Sequence, residues 1–343
     1  MKTAIILGTR PEIIKCFPII SELKKRNADF FAIDTGQHTD PEMQDAIYKS
    51  LDLEPCKYML QGYSQEQTPV TIRKILEADR PDTVLVHGDT DSTLIGAMAA
   101  ASLGINLVHN EAGLRSGTLW MKEERNRILT DHACHHLFAP TRQAEQNLLL
   151  ENVRASIEVT GNTIVDALHY WRDKNPRLTK TFSYALLTMH RAESVDNRET
   201  LASILHGIDL VSHALELTVF FPVHPRTKKR LEEFKIDLPS CVMALQPMDY
   251  FLFLEMEANA DLVLTDSGGV QEEACSLMIP CVTLRYSTER PETVEIGANE
   301  LSGTDSIAIR DKAKKMFKSA RNWVSPYGDG KASVRVADYL ERS

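Results

Sequence analysis

Short runs of β-branched and other apolar residues alternate with amphipathic stretches along almost the whole chain. Residues 3–7 (TAIIL) are unbroken and apolar, as in a strand buried on both faces. Residues 13–25 then place Ile13, Phe17, Ile20 and Leu23 at helical spacing. The couplet recurs, with strands expected at 30–38, 83–86, from 105, and at 136–139. Helices are expected at 70–78, from 91 to 103, and at 123–132 and 142–150. A second series starts near SYALLT and continues with TVFFP, the strand 263–265, the helix 270–277 and the strand 280–285. A short helix at 333–340 closes the chain. Alternation of this kind predicts an α/β class with parallel sheets.

The polar, proline-containing segment 172–181 (RDKNPRLTKT) separates the two series and reads as a linker. The expected architecture is therefore two doubly wound, Rossmann-like domains facing a cleft, 1–171 and 172–330. The turn-rich YGDG at 327–330 is expected to carry the last helix, 331–343, back to the first domain.

Polar residues gather where the strands end, the edge at which open parallel sheets bind ligands. The first strand delivers Arg10 and Lys15, and the second Gln37 and His38. Asp89 follows the strand at 83–86, and Glu111 and Arg115 the one after it; Glu123 opens the next helix. In the second series His190 and Glu193 follow SYALLT, and His224 follows TVFFP. The sharpest signal is VLTDSGGVQEEA: a buried strand, a turn at Ser267, Gly268 and Gly269, then a helix that Asp266 or Ser267 is placed to cap. Glycines let a ligand approach the backbone, and free amides at a helix start attract negative charge. Glu273, one turn in, suits a pair of vicinal hydroxyls. The expected ligand is a nucleoside diphosphate, with Arg290 adding charge. Asp89, Glu111 and Glu123 suit proton transfer on such a ligand, and crowding should raise the pKa of at least one acid.

Composition narrows the classes. With 343 residues there is room for two cores, and 43% hydrophobic with 25% charged residues is ordinary for a globular protein. A net charge of −9 argues against non-specific nucleic-acid binding. The six cysteines show no CxxC pair and no metal spacing, so they are expected as core thiols in a reducing cytoplasm. No signal peptide or membrane-length apolar run is visible, and no GxGxxG follows a strand. Neither a metal nor NAD is expected.

GTRPEIIK (8–15), TGQH (35–38), HGDT (87–90), EAGLRS (111–116), EERNR (123–127), HRAES (190–194), TDSGGVQEEA (265–274) and TERPE (288–292) occur in this order. Together they resemble the non-hydrolysing UDP-N-acetylglucosamine 2-epimerases over nearly the whole chain. The resemblance implies the glycosyltransferase-B fold, a homodimer, no added cofactor, and interconversion of UDP-N-acetylglucosamine and UDP-N-acetylmannosamine through 2-acetamidoglucal. It implies Asp89, Glu111 and Glu123 as catalytic acids, and His190 beside the departing diphosphate. It further implies Arg10, Ser267, Gly268, Gly269 and Arg290 on the diphosphate, Glu273 on the ribose, Phe253 near the uracil and Lys15 as a supporting charge. Gln37, His38 and His224 match an allosteric UDP-sugar site of some bacterial members.

The chain departs from the family pattern at Asn110 (usually valine), Lys122 (commonly proline), PVHPRT (222–227) and the TDPEM that follows His38. TGQH with Asp40 and Met43 is also similar to epimerases of UDP-2,3-diacetamido-glucuronate, whereas GTRPEIIK favours the neutral sugar. A hydrolysing epimerase and a glycosyltransferase would both share this fold, and they stand as competing readings of the same motifs.

Overall fold

The computed structural model describes residues 1–37, 47–62, 64, 66–174 and 182–342. The chain divides into two compact units: Met1–Asp173 with Tyr327–Ser343, and Lys174–Pro326.

In the first unit, β1 (Lys2–Leu7), β2 (Asp29–Asp34), β3 (Tyr58–Met59), β4 (Thr83–His87), β5 (Asn106–Asn110), β6 (His136–Ala139) and β7 (Ser156–Val159) form one sheet. Its order is β3-β2-β1-β4-β5-β6-β7, with every described pairing parallel. The apolar runs are continuous because the central strands are buried on both faces: Ala4 to Leu7 and Val84 to Val86 are at most 1% exposed. The second unit repeats the logic with β8 (Tyr184–Thr188), β9 (Thr218–Pro222), β10 (Val242–Leu245), β11 (Leu262–Thr265), β12 (Cys281–Thr283) and β13 (Asn299–Leu301). Its order is β10-β9-β8-β11-β12-β13, again all parallel. The class is α/β, doubly wound twice. In each sheet the order reverses between two central strands, β1 and β4 in one and β8 and β11 in the other. That reversal opens a crevice at their carboxyl ends.

Several boundaries differ from expectation. The first helix begins at Arg10, not at residue 13, because the Glu12 carboxylate accepts the amides of Gly8 and Thr9 (2.8 Å each) and starts the helix early. Of the predicted linker, Arg172–Lys174 continue the helix Thr163–Lys174, while 175–181 lie outside the described residues. The last helix, Ala332–Arg342, packs in the first unit, where Asp166 accepts the Ala332 and Ser333 amides and Arg26 pairs with Asp338 and Glu341. Among the described residues no helix is long and apolar enough to cross a membrane.

Candidate active site

The helix Lys122–Ala133 organises the strand ends of the first unit. Glu124, buried, accepts the amides of Ser116 (2.9 Å) and Gly117 (2.9 Å). Asn126 donates to the Asp89 carbonyl (3.0 Å), and Arg127 forms an ion pair with the Asp89 carboxylate. Asp131, fully buried, binds the His109 ring (2.7 Å), the Gly113 amide (3.1 Å) and Arg115 (2.7 Å). Burial alone would raise the Asp131 pKa, but His109 and Arg115 outweigh it and hold the carboxyl below its ordinary range. One helix thus hangs both the Asp89 loop and the Glu111–Arg115 loop.

Glu111 follows β5 with φ +72°, a left-handed conformation that costs of order 1 kcal/mol for a residue with a Cβ. The peptides on either side are clamped: the Asn110 carbonyl accepts from Gly88 (3.1 Å), and the Ala112 amide donates to Phe138 (3.1 Å). The buried carboxylate is ion-paired with Lys15, accepts from Asn162 (3.3 Å), and lies 3.9 Å from His87 Nε2. Lys15 is therefore a buried partner of Glu111. Arg115, expected on a ligand, has its guanidinium tied to Asp131, to Glu151 (2.7 and 2.8 Å) and to the Leu114 carbonyl. Glu123, beside the buried Glu124, is exposed to solvent. Arg10 opens the first helix. Gln37 accepts from the Ser92 amide (3.0 Å) and hydroxyl (2.7 Å); His38 lies outside the described residues.

A raised carboxyl does stand at these strand ends, but it is Glu12, which sequence reasoning does not single out. Burial pushes it up to about 7 against hydrogen bonds from Thr90, Thr93, Gly8 and Thr9. His87, also buried, is pushed down to about 4 by burial, which outweighs the attraction of Glu111. Glu12 sits inside GTRPEIIK and His87 inside HGDT, so position in the motif was the available signal.

In the second unit, β8 and β11 deliver His190 and Ser267 to neighbouring positions. Asp266 does not cap the next helix. Its buried carboxylate turns to the amides of His190 (2.9 Å) and Arg191 (2.8 Å), with the His190 ring 3.3 Å away. Burial opposes its ionisation, but these donors win and its pKa is lowered. Ser267 occupies the cap position of Gly268–Ser276 without a side-chain bond to the helix. A Cβ on Gly268 would lie 3.8 Å from the Arg290 guanidinium carbon and 3.9 Å from an Arg191 nitrogen. Two guanidinium groups therefore flank the helix start beside Gly268 and Gly269. Arg191 was not among the expected site residues, and among the described residues its buried Nε has no hydrogen-bond partner.

Glu273 is buried and accepts from Tyr250 (2.8 Å). Beside it, burial and the Glu273 charge push the Glu257 carboxyl well above its ordinary range, toward the protonated form. Arg290 is ion-paired with Glu272, and Glu193 with Arg285. Phe253 packs half-buried against the core that includes Tyr184 and Val270. The His224 ring accepts the Arg226 amide (3.2 Å) at the start of the helix Pro225–Phe234 and lies 5.2 Å from the His190 ring. The candidates thus form two groups: carboxylates with Lys15 in the first unit, and an amide- and guanidinium-rich turn in the second.

A family model described as UDP-N-acetylglucosamine 2-epimerase matches residues 21–341. The UDP-N-acetylglucosamine 2-epimerase of Methanocaldococcus jannaschii is 46% identical, covering 99% of this chain and 99% of that one. A crystal structure of the M. jannaschii UDP-GlcNAc 2-epimerase in complex with UDP-GlcNAc and UDP superposes with a TM-score of 0.93 at 44% identity, covering all of both chains. A spinosyn rhamnosyltransferase shares the fold at a TM-score of 0.58 and 13% identity, covering 99% of this chain and 96% of that one.

Proposed function

We propose a course for the reaction from one premise: the chain belongs to the UDP-N-acetylglucosamine 2-epimerase family. It is an isomerase acting at C2 of UDP-N-acetylglucosamine, and inversion there yields UDP-N-acetylmannosamine. The C2 proton is weakly acidic, so its removal must be coupled to loss of a good leaving group. In this reading a carboxylate takes the C2 proton, and the C–H electron pair becomes the C1=C2 bond of 2-acetamidoglucal. The C1–O bond breaks, with its electrons passing to the β-phosphate of UDP. Re-addition reverses each step, with the proton delivered to the opposite face by a second carboxyl.

The observation that carries this reading is Glu111, a buried carboxylate in a strained backbone conformation, held by Lys15 and Asn162. We assign proton transfer to Glu111 and Glu123, with Asp89 held by Arg127 as the third acid. His190, Arg10, Arg191, Arg290 and the Ser267–Gly269 amides take the diphosphate, where cations stabilise the charge that develops on departure. Glu273 takes the ribose hydroxyls and Phe253 the uracil. No metal or redox cofactor enters this scheme. The reading also carries a cytoplasmic homodimer, which sedimentation of the purified protein tests for its dimer part.

Proton NMR with UDP-N-acetylglucosamine in deuterated water tests the chemistry. Expected are the UDP-manno anomeric signal and deuterium at C2 of both epimers. Free N-acetylmannosamine with accumulating UDP would move the chain to the hydrolysing class. Turnover of UDP-2,3-diacetamido-glucuronate alone would move it to the uronate epimerases.

A further inference from the structure

His87 and Asn110 are the last residues of β4 and β5 and are register partners in the parallel sheet. Their side chains meet: Asn110 Nδ2 lies 2.9 Å from His87 Nδ1 and 3.4 Å from Thr163 Oγ1. The other ring nitrogen, Nε2, faces Glu111 Oε2 at 3.9 Å. That is long for a hydrogen bond but close enough for the carboxylate to feel whether Nε2 carries a proton or a lone pair. His87 and Asn110 are each 2% exposed, so water does not set the ring's state.

We propose that Asn110 is a positioning residue that locks His87 as the neutral Nε2–H tautomer and thereby keeps a non-basic donor turned toward Glu111. The inference rests on the assignment of Glu111 to proton transfer. A neutral imidazole has one donor nitrogen and one acceptor nitrogen. Nδ1 faces an amide N–H and so accepts, which leaves the proton on Nε2. Flipping the Asn110 amide would reverse the ring and set an Nε2 lone pair against a carboxylate, an arrangement that both charge and hydrogen bonding disfavour.

The consequence is chemical. After Glu111 takes the C2 proton, an Nε2 lone pair beside it would accept a hydrogen bond from that proton and turn it away from C2. With Nε2 already protonated, His87 cannot accept it, and the proton stays on the carboxyl. Lys15 meanwhile compensates the charge of the ionised form.

The test uses the full chain and the variants Asn110→Val, His87→Gln and the double variant. Glutamine offers an amide donor in place of Nε2–H, is not basic, and needs no partner to choose a tautomer. Asn110→Val is expected to lower kcat roughly tenfold, the scale of one hydrogen bond expressed as a rate, with KM for UDP-N-acetylglucosamine nearly unchanged. In the His87→Gln background the same valine substitution is expected to cost nothing further. Long-range ¹H–¹⁵N spectra of the ¹⁵N-histidine-labelled wild-type protein, with His87 assigned through His87→Gln, should show a single Nε2–H tautomer. This reading does not depend on how well the Asn110→Val variant folds. An Nδ1–H tautomer, or an equal cost of Asn110→Val in both backgrounds, would overturn the inference. Full turnover by Glu111→Gln would instead overturn the assignment of Glu111. An inactive Glu111→Gln with a neutral Asn110→Val sinks the tautomer lock alone.

Discussion

Glu12→Gln isolates a buried charge whose state is set by two opposed effects. Glu12 is 3% exposed; one oxygen accepts the Gly8 and Thr9 amides, and the other the Thr90 and Thr93 hydroxyls. Burial outweighs these four donors and raises its pKa from 4.5 to about 7. The folded chain therefore holds the proton more tightly than the unfolded chain. Its contribution to stability is full below about pH 4.5 and is lost as pH rises through about 7. Between pH 5 and pH 8 that loss comes to about 2–3 kcal/mol. Glutamine keeps the geometry. Its carbonyl can accept the two amides, and its NH₂ can donate to the two hydroxyls, the Thr93 proton passing to the His87 carbonyl 2.6 Å away. Urea unfolding of both proteins from pH 5 to pH 8 is the assay, with separate transitions fitted where the two units unfold apart. The difference between wild type and Glu12→Gln should grow by about 2–3 kcal/mol in favour of the variant over that range. Parallel curves would refute the reasoning, because they would mean that the four donors keep Glu12 ionised in the fold. Glu12→Ala is the contrast: it leaves two buried amides unpaired and should destabilise at every pH.

Further outcomes follow from the same contacts. Glu111→Gln should keep UDP affinity within several-fold by calorimetry while C2 deuterium exchange falls by at least about 10²-fold; retained exchange removes Glu111 from the reaction. Arg191→Ala should weaken UDP binding by roughly tenfold or more, since it removes one of two guanidinium groups beside Gly268. An unchanged dissociation constant would separate Arg191 from the diphosphate. Asp131→Asn leaves Arg115 and His109 without their buried carboxylate and should cost about 3–5 kcal/mol in thermal or urea unfolding. Gly113 has φ +82°, and a Cβ there would fall 2.3 Å from the Ala144 carbonyl oxygen. Gly113→Ala should therefore yield little folded protein, as judged by soluble expression and circular dichroism.

Periodicity and motif order are enough to establish the α/β class, the doubly wound alternation and the family. Strand and helix faces are local properties, written in spacings of two and of three to four residues. The same patterns place polar groups such as Asp89, Glu111, His190 and Ser267 at carboxyl ends of strands, because a strand's end is visible in the letters. What the letters lack is partners. Lys15 meets Glu111 across 96 residues and Glu12 meets Thr90 across 78, and no local pattern encodes which strand end lies beside which. Arg115 reads as a ligand contact because its letters say charge at a strand end; only the position of Asp131 one helix away shows it tied into the scaffold. Asp266 reads as a helix cap for the same reason, until the neighbouring strand brings the His190 and Arg191 amides to it. Protonation follows the same rule. Whether Glu12 or Glu257 keeps its proton depends on burial and on the charges nearby, and both come into existence only when distant segments pack.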